Sequence, residues 1–279
     1  MEFGISLHSV IPVRLEPLHT AEMVTQVLFG ELYRVVAKEN NWLRVQLLYD
    51  NYEGWIHTLQ NQFITEQEFL RLAGSETLVT RDLVQILTHE SNGTMIPIVL
   101  GSSLPGCKGG RFCIGQDEFH IDGSVSDQSA CDQLASDQSL AKEVQGREEA
   151  SKTRRHLVDD ALLYLNAPYV WGGRTPFGID CSGFVQMVYK MKKIKLLRDA
   201  SQQASQGEVI SLLGEAEPGD LAFFDDAEGK ITHVGLLIDR SHIIHCSGKV
   251  RIDVLDHEGI YNEAVQKYTH KLRLIRRIV

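Results

Sequence analysis

Cys181 is the residue of this chain best placed to do covalent chemistry. It follows a glycine-rich stretch, Pro168 to Asp180, and opens a segment in which Phe184, Val185, Val188 and Tyr189 recur at helical spacing. At a helix start, unpaired backbone N–H groups and the positive end of the helix dipole favour a thiolate, the nucleophilic form of cysteine. The expectation is a covalent catalyst at this position.

A thiolate nucleophile needs a base, and the base needs a group that orients it. His233 lies in the run 231–238, Ile-Thr-His-Val-Gly-Leu-Leu-Ile. Strand alternation sends Val234, Leu236 and Ile238 to one face and His233 with Gly235 to the other. The glycine is expected to leave room for a substrate backbone. His245 comes after the polar turn Asp239-Arg240-Ser241 and shares the parity of His233. A hairpin centred near Asp239 would set the two imidazoles opposite each other on neighbouring strands, with Cβ atoms about 5 Å apart. His233 would then deprotonate Cys181 while His245 holds it in the right tautomer. A neutral orienting group stabilises an imidazolium less than a carboxylate does. Taken singly, a core cysteine is usually a small hydrophobe and a strand histidine a satisfied polar group. Their joint appearance, with a glycine-rich approach to the cysteine, points to chemistry.

These residues need elements to hold them. A helical pattern starts at Arg154, with Leu157, Ala161, Leu162 and Leu165 as its apolar stripe, and stops at Asn166 and Pro168. After the Cys181 helix come strand-like runs at 221–224, 231–238, 242–245 and 271–278. Helices followed by an antiparallel sheet predict an α+β domain over 152–279. The basic C-terminal run, Lys271, Arg273, Arg276 and Arg277, alternates with Leu272, Leu274, Ile275 and Ile278 and suits a closing strand.

Upstream, residues 1–65 hold short β-type runs punctuated by Gly30, Asn40-Asn41 and Asp50-Asn51, the spacing of a small barrel. Residues 75–125 are again β-rich and glycine-punctuated, predicting a second, degenerate barrel. Residues 126–151 are polar, repeat Ser-Asp-Gln-Ser at 126 and 136, and read as a linker or as a polar strand and helix of the second barrel.

The 279 residues are 43% hydrophobic and 23% charged with a formal charge of −9, a balance that argues against a nucleic-acid partner because no basic stripe with interleaved aromatics occurs. No run of about 18 apolar residues is present, so no membrane span is expected. The N-terminus, Met-Glu-Phe-Gly-Ile-Ser, lacks a basic region followed by an apolar stretch. A cytoplasmic protein is expected, or a periplasmic or secreted one if an export signal has been removed. The five cysteines (Cys107, Cys113, Cys131, Cys181 and Cys246) include no C-x-x-C pair and no metal-ligand spacing. Alternation turns Cys246 away from the face of His245.

The motifs Tyr-Val-Trp-Gly-Gly (169–173), Asp-Cys-Ser-Gly-Phe-Val-Gln (180–186), Arg-Asp-Ala-Ser-Gln-Gln (198–203), Pro-Gly-Asp-Leu (218–221), His-Val-Gly (233–235) and Ile-His (244–245) occur in this order. Together they resemble the NlpC-type, papain-like cysteine peptidases of bacterial cell-wall peptides. The resemblance covers about 125 residues, from Arg154 on. It implies Cys181 as nucleophile, His233 as base, His245 as third polar residue, Tyr169 beside the oxyanion site and the Cys181 N–H as oxyanion donor.

Residues 1–65, through Gly30-Glu31, 42–45 and 52–56, resemble a bacterial SH3-like domain. An N-terminal SH3-like domain combined with a histidine, His245, as third residue resembles the γ-D-glutamyl-L-diamino acid endopeptidases, which cut after D-Glu in L-Ala-γ-D-Glu-diamino acid peptides carrying a free L-Ala amine. The resemblance implies Asp180, Ser182 and Ser201 at the amine-binding end with Trp171 nearby, and an acidic residue and a tyrosine from the first barrel, here Glu22 and Tyr52. Glu31 and Glu53 are the alternative acids. The expected reaction runs through a γ-glutamyl thioester without metal or organic cofactor, in a monomer that takes a peptidoglycan-derived peptide. An amidase or acyltransferase of the same fold, or a non-enzymatic wall-peptide binding module, are the alternatives.

Overall fold

Short alternating runs of Val, Ile and Leu make strands in both halves of the chain, in the computed structural model, which describes residues 2–125 and 139–279. The chain divides into two units: residues 1–129 with Trp171–Pro176, and residues 130–170 with 177–279.

In the first unit the strands Met23–Leu28, Val10–Arg14, Glu53–His57, Trp42–Leu47, Leu32–Glu39, Glu2–Ile5 and Gln62–Ile64 form one sheet in that order. Ile11, Val13, Val27, Val35, Val45 and Ile56 fill its inside, as alternation requires. Residues 75–125 add a four-stranded and a two-stranded sheet. They do not enclose a core of their own. Phe3, Ile5, Phe29 and Leu32 of the first barrel cluster with Leu87, Ile98, Phe112 and Phe119 of the second region, with Phe69 and Leu72 of the helix Glu66–Ala73 between. Gly30 makes this junction possible. Its φ is +76°, and a Cβ there would lie 1.9 Å from the Ser103 carbonyl oxygen. The Ser103 N–H in turn donates to the Phe29 carbonyl at 2.9 Å.

The segment Trp171–Pro176 belongs to this unit through Arg174, whose side chain is 1% exposed. The Arg174 guanidinium donates to both carboxylate oxygens of Glu31, at 2.8 and 2.9 Å, and to the Gln26 carbonyl at 2.7 Å. The Gln26 side chain accepts from the Arg174 N–H at 2.7 Å, and Glu31 also accepts from the Leu28 N–H at 2.9 Å. A buried fork of this kind is tolerated because each charge meets its opposite; only the Arg174 Nε is left without a partner among the described residues.

In the second unit the helix Ser139–Leu162 replaces the linker expected up to residue 151, and it begins well before Arg154. Residues 126–138, which include Cys131 and the first Ser-Asp-Gln-Ser, lie outside the described residues. Leu157 and Ala161 are buried, but Leu162 and Leu165 are exposed and Tyr164 is buried in their stead. The helix ends at Leu162, so the turn that follows rotates the expected stripe off its face.

The sheet of this unit runs Glu208–Ile210, Lys267–Arg277, Leu221–Asp225, Ile231–Leu237, His242–Ser247, Lys249–Leu255 and Gly259–Asn262, and the additional pairing of the last strand with Lys267–Arg277 closes it into a barrel. The basic C-terminal run is therefore the closing strand. Ala222, Phe224, Leu237, Ile243, Leu255, Ile260 and Ile275 form a buried cluster within the sheet. The helix Cys181–Lys190 packs on the strands that carry His233 and His245.

Replacing Glu31 by Gln removes the charge facing Arg174 and leaves a cation buried. The expected cost is about 3 kcal/mol, read as a lowered urea midpoint in tryptophan fluorescence. An unchanged midpoint would show that the pair does not hold Trp171–Pro176 in place.

Candidate active site

Asp180 has extended φ and ψ and caps the helix Cys181–Lys190, its carboxylate accepting from the Gly183 N–H at 2.6 Å. This cap sets Cys181 at the first helical position, 8% exposed. The helix start favours a thiolate, but two stronger effects oppose it. Burial and the neighbouring Asp180 charge push the Cys181 thiol up to about 12, against the opposing pull of the Val234 N–H, Arg198 and the Ser182 N–H. Part of the terminus is already spent on Asp180. The resting group is a thiol, and a base has to make it a nucleophile.

The expected base is carried on the adjoining strand, whose Val234 backbone N–H, next to His233, faces the sulfur. His233 Nε2 lies 2.8 Å from His245 Nδ1, and His245 Nε2 lies 3.0 Å from Asp253 Oδ2. Arg251 donates to the other Asp253 oxygen at 2.7 Å. All three members of the chain are buried. Against burial, which pushes the other way, hydrogen bonds from His245 and Arg251 hold Asp253 below its ordinary range. An ionised Asp253 accepts the His245 Nε2–H. His245 Nδ1 is then the acceptor for His233 Nε2–H, which leaves His233 Nδ1 bare and able to accept a proton. The orienting group is thus a histidine with a carboxylate behind it, not the neutral imidazole alone that was expected.

Strand register explains the approach of the two rings. Gly235, not His233, pairs with His245, so the hairpin turns one residue later than expected and the imidazoles are diagonal neighbours. The rings meet edge-on, with centroids 5.1 Å apart at 85°. The space over Gly235 is not kept for substrate: a Cβ there would lie 2.8 Å from His245 Cβ and 2.7 Å from Ile243 Cδ1. Glycine is needed so that His245 can lean across to His233.

Two site residues were missed in the sequence. Asp253 stands eight residues past His245 on the strand Lys249–Leu255, whose register pairs Asp253 with Ile243; its parity with His245 across that hairpin was a usable signal. His270 lies in the C-terminal strand and stacks on His233, centroids 4.2 Å apart at 27°; nothing in its local sequence marks it. The nitrogens of His233, His245 and His270 come within 4.8 Å of one another. Ring lone pairs lie in the ring planes, so those of the stacked pair run side by side and do not converge on one ion.

The other expected residues divide. Tyr169 is brought to the thiol: burial, then the charges of Cys181 and Asp180, raise its hydroxyl. Asp180 and Ser182 come together around Arg198, which donates to Asp180 at 3.0 and 2.6 Å and to Ser182 Oγ at 2.9 Å. Arg198 was read only as part of a motif. Ser201 is exposed on the short helix Ala200–Gln203, whose Gln203 donates to the Ser182 carbonyl at 3.0 Å. Trp171 lies in the first unit, exposed, with Nε1 donating to Glu22 at 2.6 Å. Tyr52 is half-buried and packs against the first-barrel core. Of the alternative acids, Glu31 is held by Arg174 and Glu53 pairs with Arg44 at 2.9 Å. Cys246 is buried, faces away from His245 and donates to the Ile179 carbonyl at 3.1 Å. Cys107 and Cys113 are free thiols, the first buried and the second exposed.

If His245 depends on the bare Cα of residue 235, Gly235→Ala breaks the relay. Iodoacetamide alkylation of Cys181 at pH 7 should then slow at least about tenfold. Wild-type alkylation in that variant would mean that the relay does not activate the thiol.

Comparison with known proteins identifies both domains. Residues 166–271 match the NlpC/P60 family, and residues 13–60 match the bacterial dipeptidyl-peptidase SH3 domain. The chain is 28% identical over 245 residues to the gamma-D-glutamyl-L-lysine dipeptidyl-peptidase of Bacillus subtilis, covering 79% of this chain and 71% of that protein. It is 25% identical over 259 residues to dipeptidyl-peptidase 6 of Lysinibacillus sphaericus, covering 87% and 88%. The crystal structure of an NlpC/P60 family protein from Bacillus cereus shares the fold, with a TM-score of 0.76, 19% identity and 99% of each chain covered. The chain therefore carries an NlpC/P60 cysteine-peptidase domain behind a bacterial SH3 domain.

Proposed function

We propose that the protein hydrolyses the bond between γ-D-glutamate and a diamino acid in cell-wall peptides that carry a free N-terminal L-Ala. The observation that carries the catalytic part is the buried chain from His233 through His245 to Asp253, with His233 on a strand whose Val234 N–H faces the Cys181 thiol. Support for the bond and the substrate comes from the motifs of residues 169–245 and from the two dipeptidyl-peptidases that align over most of the chain.

In this reading His233 Nδ1 takes the Cys181 proton as sulfur attacks the γ-carbonyl carbon of D-Glu. The oxyanion is met by the Cys181 N–H, with Tyr169 alongside. The imidazolium returns its proton to the leaving amine of the diamino acid. The C–N bond breaks and leaves a thioester, after which His233 draws a proton from water, and hydroxide attack frees the γ-carboxyl and the thiol. Charge on His233 is transient in both steps. Asp253 is ionised throughout, and its charge reaches His233 through His245.

The free amine is assigned to the end of the site formed by Asp180 and Ser182. A buried ammonium needs acceptors with negative character; Asp180 and Ser182, held in place by Arg198, are proposed to supply them, and an acylated nitrogen would bring neither the charge nor the extra N–H donors. Such a requirement suits peptides already released from the glycan, so an amidase-type reaction must supply the substrate, and recycling of wall peptides is the role proposed.

The test is mass-spectrometric cleavage of L-Ala-γ-D-Glu-diaminopimelate, its lysine counterpart and their N-acetylated forms, by the wild type and by Cys181→Ala. Cleavage of the free-amine peptides, lost in the variant and reduced at least about a hundredfold on acetylation, is the expected result. Equal cleavage of both forms would remove the amine requirement. Binding without cleavage would favour a wall-peptide binding module.

A further inference from the structure

We propose that His270 is a positioning residue for the catalytic base: its ring covers one face of His233 and fixes the plane in which that ring meets Cys181 and His245. The inference rests on the reading of His233 as the base.

His233 is enclosed by rings on several sides. His270 stacks on it at 4.2 Å and 27°, Phe224 lies tilted at 5.8 Å, and His245 meets it edge-on at 5.1 Å. His270 also touches Phe224 at 5.9 Å and His245 at 5.6 Å, so one imidazole braces both members of the relay. Its place in the strand Lys267–Arg277 is set by irregular pairing on both sides. The register against Leu221–Asp225 shifts between Phe223 and Phe224, and the register against Gly259–Asn262 shifts between Ile260 and Tyr261. Residues skipped in this way bend a strand and re-aim its side chains. Gly259 adds a close approach, since a Cβ there would lie 1.9 Å from the His270 carbonyl oxygen.

A covering ring can help a base only if it stays uncharged. Burial and the neighbouring His245 hold His270 down to about 4, with Asp253 pulling the other way. The titratable groups around it are His233, His245 and Asp253 with its partner Arg251; Asp225 faces Arg273 at 3.6 Å, and Ile260, paired with His270, is apolar. At neutral pH the ring is an aromatic wall, not a second cation against the imidazolium. It is not placed as a rival base either, because its Nδ1 meets Thr269 Oγ1 at 2.9 Å. Burial, then His245, then His270 keep His233 well below its ordinary 6.5. Removing the wall would admit water to that face and let the base titrate higher and turn more freely.

The experiment is an NMR titration of the His233 imidazole in a Cys181→Ala background, with and without His270→Ala or His270→Phe. The alanine change should raise the His233 midpoint by about one unit or more, while phenylalanine, which keeps the wall, leaves it in place. With Cys181 restored, kcat/KM should fall about tenfold for alanine and within about threefold for phenylalanine. A His233 midpoint unmoved by His270→Ala would overturn the proposal, even if stability fell. A wild-type enzyme that cleaves no peptide and whose alkylation ignores His233→Ala would instead overturn the reading of His233 as the base.

Discussion

The catalytic unit is organised around one hydrogen-bond chain, His233 to His245 to Asp253, laid across three neighbouring strands of a closed barrel. Burial makes both ends of the proton transfer unwilling. The Cys181 thiol is pushed up to about 12 and the His233 imidazole is held well below 6.5, so an ion pair is not the resting state. Each unit of that mismatch opposes charge separation by about 1.4 kcal/mol. The buried Asp253 charge is what the protein sets against this cost. In the proposed mechanism it favours positive charge on His233 as the sulfur attacks, while Arg251 holds the carboxylate in place.

Backbone geometry makes that chain possible. Gly235 opposite His245 lets two β-substituted imidazoles lean towards each other on a diagonal, which a side chain at 235 would block. The closing strand Lys267–Arg277 brings His270 back onto His233 and completes the barrel wall. The nucleophile comes from a separate element, the helix capped by Asp180, and the cap is itself clamped by Arg198. One carboxylate therefore both ends the helix and raises the thiol it presents, which makes the thiol depend on its base.

Much of this was legible in the sequence, because the signals were local. Cys181 at a helix start, the parity of His233 and His245, and the alternating C-terminal strand all follow from periodicity over a few residues. Three kinds of fact did not. The hairpin register depends on how Asp239, Ser241 and His242 bond in the turn, and a shift there changes which residues face each other without changing parity. His270 is brought to the site by the return of the last strand across the sheet, a tertiary property, whereas Asp253 follows from a hairpin whose parity with His245 went unread. The thiol's true state depends on burial and on Asp180 as a charge, whereas the helix dipole considered alone points the other way. In the first unit, Glu31 looked like a free acid for substrate; its partner Arg174 lies far along the chain.

The central claim is that Asp253 sets the tautomers and leaves His233 Nδ1 bare for the thiol. Long-range 15N–1H spectra of histidine-labelled protein at neutral pH read those protons directly. The account predicts His245 and His233 both protonated at Nε2, with an unprotonated Nδ1 on His233 that disappears in Asp253→Asn. A His233 ring protonated at Nδ1 in the wild type would contradict it, because the nitrogen left free of His245 would then be a donor and not a base.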